Sequence, residues 1–114
     1  MEGQGSLCHP GSTATLPLIR GSQPTALLLV HRAGQRSIRN APHIPIPPLK
    51  ELIAVVEALA ALGRPAGRLG PAPSGSAALA PPPRVGAIAL NTAHLSDEEA
   101  LRALEEVRLE TGLP

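Results

Sequence analysis

The chain contains no Phe, Tyr or Trp. Its core must therefore be built from Leu, Ile, Val and Ala, without the large contact area that aromatic rings bring to cores and interfaces. It has a single cysteine, Cys8, which excludes an internal disulfide and any CxxC metal pair. That usage, and an amino terminus without a basic segment followed by an apolar run, predict a cytoplasmic protein. No apolar stretch approaches the roughly 20 residues of a membrane span, so no membrane partner is expected. The net charge is only +1. A dedicated nucleic-acid binder shows a strong basic excess with a recognisable module, so no nucleic-acid partner is expected either. His9, His31, His43 and His94 stand in no HExxH or paired spacing, and no metal site is predicted.

Proline and glycine are plentiful, 14 and 11 of 114 residues. They limit the chain to one domain at most, with a small core and marginal stability on its own. Charge is unevenly placed. Residues 1–50 hold Arg20, Arg32, Arg36, Arg39 and Lys50 against Glu2 alone, whereas Asp97 to Glu110 is mostly acidic. An anion site is thus expected in the first half, and a solvated helix face near the end.

Residues 1–25 read as loop with one short helical or extended piece around Leu16 to Ile19. Ala26 to Val30 is a short continuous apolar run, the pattern of a parallel strand buried on both faces. Residues 31–47 read as a loop in which PHIPIPP favours an extended course. Pro48 opens a helix whose Leu49, Leu52, Ile53, Val56, Leu59, Ala60 and Leu62 recur at three- and four-residue steps until Gly63. Residues 63–83 hold six prolines and four glycines and read as a low-complexity linker inserted into the domain. Val85 to Leu90 is a second strand. Ser96 and Glu99 form a capping box that opens a last helix, which Gly112 stops. Strand, helix, strand, helix is the order of a parallel α/β sheet. Two strands leave edges and a face uncovered, so residues 1–114 are expected to be an incomplete, carboxyl-terminal portion of a three-layer domain.

The run Glu2-Gly3-Gln4-Gly5-Ser6 places an acid and two glycines where a strand would end. An acid there can hold a magnesium-bound water or orient a ligand, and glycines let backbone approach a phosphate or acyl group; the ordinary reading is a flexible terminus. The run is no dinucleotide fingerprint, because Cys8 stands where the third glycine belongs. GxxxxGK(S/T) does not occur, so the chain cannot cradle a triphosphate by itself. His9 lies beside Ser6 and Cys8, as a base beside a nucleophile would, or as polar loop residues would. His31 follows the first strand, at the edge where open α/β sheets bind ligands. Arg32, Arg36 and Arg39 lie on the same strand-end loop, and their guanidinium forks suit carboxylates and phosphates; a charged, solvated loop is the competing reading. Asn91 ends the second strand, where its amide can read a purine or simply form a turn.

Together, EGQGSLCHP at 2–10, TLPLIRGSQP at 15–24, ALLLVH at 26–31, SIR at 37–39, IPPLKELI at 46–53, VGAIALNTAHLSDEEA at 85–100 and ETGLP at 110–114 resemble a bacterial and archaeal family once known only as a domain of unknown function. That family includes D-glutamate N-acetyltransferases, with a Rossmann-like domain followed by a P-loop NTPase-like domain. The resemblance implies transfer of acetyl from acetyl-coenzyme A to D-glutamate or a similar acidic amino acid. It places Glu2 at the end of a strand, Gly3, Gly5 and Ser6 along the pocket, and His9, His31 and Arg39 near it. The expected roles are Glu2 or His9 as base, Ser6 and loop amides as donors to the thioester oxygen, Arg36 with Arg39 as carboxylate clamp, and Asn91 on the cofactor. This chain departs from the family at Gln35, where an arginine belongs, and at Thr25, where an acid is common. Met1 stands where family members continue a strand, so the expectation is a truncated fragment, inactive alone. Its partner would be a chain supplying the missing half, or a second copy. An ATP-dependent P-loop enzyme fragment and a non-catalytic remnant remain the alternatives.

Overall fold

The computed structural model of the chain describes residues 6–62 and 82–114. Helix α1 (Thr15–Ser22) leads into strand β1 (Ala26–Arg32). A hairpin of β2 (Ser37–Ile38) and β3 (Ala41–Pro45) follows, then helix α2 (Leu49–Leu62), strand β4 (Arg84–Asn91) and helix α3 (Asp97–Thr111). β1 and β4 pair in parallel from Ala26 with Arg84 to Arg32 with Asn91, and the register passes over Gly86. A residue without a side chain suits such a bulge. The fold is the α/β class that the element order predicts, with α2 as the crossover between parallel strands.

Helix α2 forms where the sequence periodicity places it. Leu49, Leu52, Val56 and Ala60 are buried along one stripe, the geometry of a helix lying on a sheet. The Leu49 amide donates to Glu110 Oε1 at 3.0 Å, so a carboxylate from α3 satisfies an orphan donor of α2 where the helix dipole favours negative charge. Further along α2, Glu57 accepts from the Val85 amide at 2.9 Å and from Arg84 Nη1 at 3.0 Å, tying the start of β4 to the helix. Helix α3 has the predicted capping box. Glu99 N donates to Ser96 Oγ and Ser96 N donates to Glu99 Oε2. Gly112 ends it at φ +73°.

Two expectations change. β1 is not buried on both faces: Leu28 and Val30 are 62% and 70% exposed, while Leu27 and Leu29 are half-buried. The cause is that α2 packs on β4 and touches both α1 and α3. Leu28 and Val30 point to the face of β1 away from the half-buried Leu27 and Leu29, and nothing among the described residues buries them. Residues 31–47 are more than a loop: Ile38 and Ala41 are buried within the β2–β3 hairpin, and the Ile46 amide closes it on the Arg36 carbonyl. The proline run takes its extended course as β3. The piece around Leu16 to Ile19 is helical, as α1. The linker assigned to 63–83 lies outside the described residues up to position 81. Pro83 at its end is fully buried, so close packing begins just before β4.

Candidate functional site

The carboxyl-terminal ends of β1 and β4 are stitched together by Ala33, a buried residue. Its amide donates to the Asn91 carbonyl at 3.1 Å, and its carbonyl accepts from His94 Nε2 at 3.0 Å. Asn91 Oδ1 accepts from the Ala93 amide at 3.1 Å, an Asx turn of the kind that polar strand-end residues favour. The side-chain oxygen of Asn91 is therefore spent on its own loop, and its amide donors remain.

A groove of about 950 Å³ runs along β1. Its walls are the Ser6 to His9 segment, α1, the β2–β3 turn at Arg39 and Asn40, and Leu52 and Val56 of α2; from β4 it takes only Val85. The groove is thus built on β1 and its neighbours rather than on β4. Among the described residues its lining includes no carboxylate, and its fixed positive charges are Arg32 and Arg39. An anion can enter without meeting a like charge.

The segment from Ser6 to Ser12 spends its own amides. Cys8 N donates to Ser6 Oγ, His9 N to the Ser6 carbonyl, Ser12 N to the His9 carbonyl, and Gly11 N to His9 Nδ1 at 2.9 Å. A backbone N–H can only donate, so Nδ1 carries the lone pair and the neutral His9 ring carries its proton on Nε2. A Cβ at Gly11 would stand 3.1 Å from His9 Cε1, so the His9 ring would have to shift by a few tenths of an ångström to admit one. Among the donors the segment still offers a ligand are the Ser6 hydroxyl proton and His9 Nε2–H. Burial pushes the Cys8 thiol pKa up, which keeps it protonated and a poor nucleophile. Burial lowers the His31 pKa, against the opposing pull of Glu110.

The structure therefore brings Ser6, His9, His31 and Arg39 to one groove. Arg36 and Asn91 are exposed outside its lining, and Glu2, Gly3 and Gly5 lie outside the described residues. Arg32 joins Arg39 in the groove although the sequence reading put Arg36 in that place. Its signal was position, since it directly follows His31 at the end of β1. His94 had no signal beyond its residue type. Among the described residues no three His, Cys, Asp or Glu side chains gather as a metal site, and no helix is long and apolar enough to cross a membrane.

A family profile described as a domain of unknown function, DUF1611_C P-loop domain, matches residues 1–114. A D-glutamate N-acetyltransferase of Tritonibacter scottomollicae is 36% identical over 115 residues, covering all of this chain and 30% of that protein. One from a Pseudoalteromonas species is 30% identical, with the same coverage. The crystal structure of a DUF1611 family protein from Anabaena variabilis ATCC 29413 superimposes with a TM-score of 0.81 at 54% identity, covering 99% of this chain and 29% of that one. The chain thus spans about a third of the length of the relatives it matches.

Proposed function

The chain belongs to the DUF1611 family through its P-loop domain, and on that premise we propose that it is the part of an acyl-coenzyme A-dependent N-acetyltransferase that receives an acidic amino acid, D-glutamate or a close analogue. The names of the two relatives support the reaction class. The observation on this chain that carries the reading is the groove beside β1, where Arg32 and Arg39 meet no carboxylate among the described residues. Guanidinium forks bind carboxylates in bidentate fashion, and a substrate with two carboxylates offers one to each arginine. ATP-dependent chemistry finds no lysine-bearing glycine loop here to rest on.

Acetyl-coenzyme A supplies the activated acyl group, as a thioester. The residues of this chain then divide the remaining work. The substrate ammonium must lose a proton before its nitrogen can attack, which calls for a base. Of Glu2 and His9, the reading gives that role to Glu2, because the hydrogen bond from Gly11 leaves neutral His9 with a donor facing outward. His9 Nε2–H and the Ser6 hydroxyl are then the donors for negative charge developing on the carbonyl oxygen. His31, kept neutral by burial, adds no charge beside the incoming ammonium.

The test is a family-length protein rebuilt around this chain, assayed for thiol release from acetyl-coenzyme A. Release is expected with D-glutamate and not with D-alanine, which lacks the second carboxylate. Arg39→Ala should weaken D-glutamate binding by about 2 kcal/mol, the low end for removing one partner of a charge pair at a binding surface. Equal turnover of both amino acids, or an Arg39→Ala variant with unchanged KM, refutes the clamp.

A further inference from the structure

Between the two groove arginines in the sequence stands Gln35, which also lines the groove and is half-buried. Its backbone amide donates to the Arg32 carbonyl at 3.1 Å, closing a four-residue turn after β1. Gly34, at φ +72°, supplies the left-handed residue that such a turn takes at its third position. The turn is pinned at Ala33 by the Asn91 carbonyl and by His94 Nε2, and Arg36 just beyond it is pinned by the Ile46 amide. The side chain is held as well, because Gln35 Nε2 donates to the Ser37 carbonyl at 3.0 Å. A carbonyl only accepts, so the amide nitrogen is the atom facing Ser37, and Oε1 is the atom left over. Among the described residues no group donates to Oε1, and no side-chain N or O atom is buried without a partner. Oε1 is therefore an accessible acceptor on a side chain that is already oriented.

The groups that receive the carboxylates and the thioester oxygen, Arg32, Arg39, Ser6 and His9, all act as donors. The ammonium of an amino acid needs an acceptor, and the described lining holds no carboxylate to provide one. We infer that Gln35 is a specificity-determining residue, whose Oε1 accepts a hydrogen bond from the amino group of the substrate that Arg32 and Arg39 hold by its carboxylates. This rests on the proposed substrate class and adds to it the contact that tells an acidic amino acid from a plain dicarboxylic acid. The neutrality of Gln35 serves the chemistry. A carboxylate in its place would favour the charged ammonium and oppose loss of its proton. An amide oxygen orients the nitrogen and adds no such charge.

The experiment titrates the family-length protein rebuilt around this chain with D-glutamate and with glutarate, which carries the same two carboxylates and no amine. D-glutamate should bind about tenfold or more tighter, the worth of one hydrogen bond to a charged group. Gln35→Met keeps the length of the side chain and removes the acceptor. It should close that gap by weakening D-glutamate alone, with glutarate affinity changed by less than about twofold. Gln35→Glu keeps the shape of the side chain but adds a charge, so the pH profile of thiol release with D-glutamate should move to higher pH. Equal weakening of both ligands by Gln35→Met shows a side chain that only braces the turn, and overturns the inference. So does an unchanged affinity for D-glutamate, or a Gln35→Glu profile that stays in place. If the unsubstituted protein binds the two ligands equally, the amine contact falls and the arginine clamp stands. If glutarate does not bind at all, the clamp falls, and the pH shift of Gln35→Glu alone decides the amine contact.

Discussion

His9 and His31 look alike in the sequence, each a lone histidine near a polar run, and the structure separates them by what their rings touch. His9 holds its Nδ1 against the Gly11 amide, a contact two residues away that the sequence contains but that residue types alone do not reveal. His31 was legible from position: it ends β1, and the strand end is where the fold puts ligands. Its half-burial was not legible, because burial depends on tertiary neighbours, of which Glu110 comes from far along the chain. Burial holds its folded pKa below the ordinary 6.5, so the unfolded chain takes up the proton first as pH falls. The stability owed to neutral His31 is then complete above about pH 6.5 and is lost as pH drops towards the folded value. Denaturant melts between about pH 7 and pH 5 should show the chain losing more stability than its His31→Gln variant. Parallel pH profiles would show a ring that titrates as it does in water.

Periodicity and capping made α2, α3 and both sheet strands readable, because those signals are local: a three- and four-residue repeat, a Ser96 with its Glu99, a Gly112. The contacts that join elements were not readable. Glu57 meets Val85 28 residues on, and Glu110 meets Leu49 61 residues back. In sequence both carboxylates are ordinary members of a solvated helix face. Glu57 is the more consequential, since its side chain is 18% exposed and its amide partner belongs to Val85, which is 3% exposed. Glu57→Ala leaves that buried N–H without an acceptor, which costs about 1 to 3 kcal/mol. Arg84 is 71% exposed, and Arg84→Ala should cost under about 1 kcal/mol, as for surface ion pairs. Urea titration of the two variants distinguishes them. If the costs are equal, the ion pair and not the amide anchor holds β4 to α2.

At the scale of the molecule, what the chain fails to bury is as informative as what it buries. Leu28 and Val30 on the sheet, and Leu101, Leu104 and Leu109 on α3, all face outward. The continuous apolar run at 26–30 correctly signalled a strand but not its burial on both faces, since Leu28 and Val30 stay exposed. Only the covering layer is missing among the described residues, and no sequence signal within this chain could supply it. Parallel sheets are covered on both faces in complete domains, so the same residue should carry different weight in different contexts. In the free chain, Leu28→Glu puts a carboxylate where leucine already meets water, and its cost should stay within about 0.5 kcal/mol. Where the rest of a family-length chimera covers that face, as complete parallel sheets require, the same carboxylate, stripped of water without a partner, should cost about 2 kcal/mol or more. Denaturation of both variants beside their parents measures the difference. A Leu28→Glu penalty that is small in both settings would mean that this face stays open in the family-length protein too, and that the exposed leucines of the sheet do not mark the place where the rest of the domain packs.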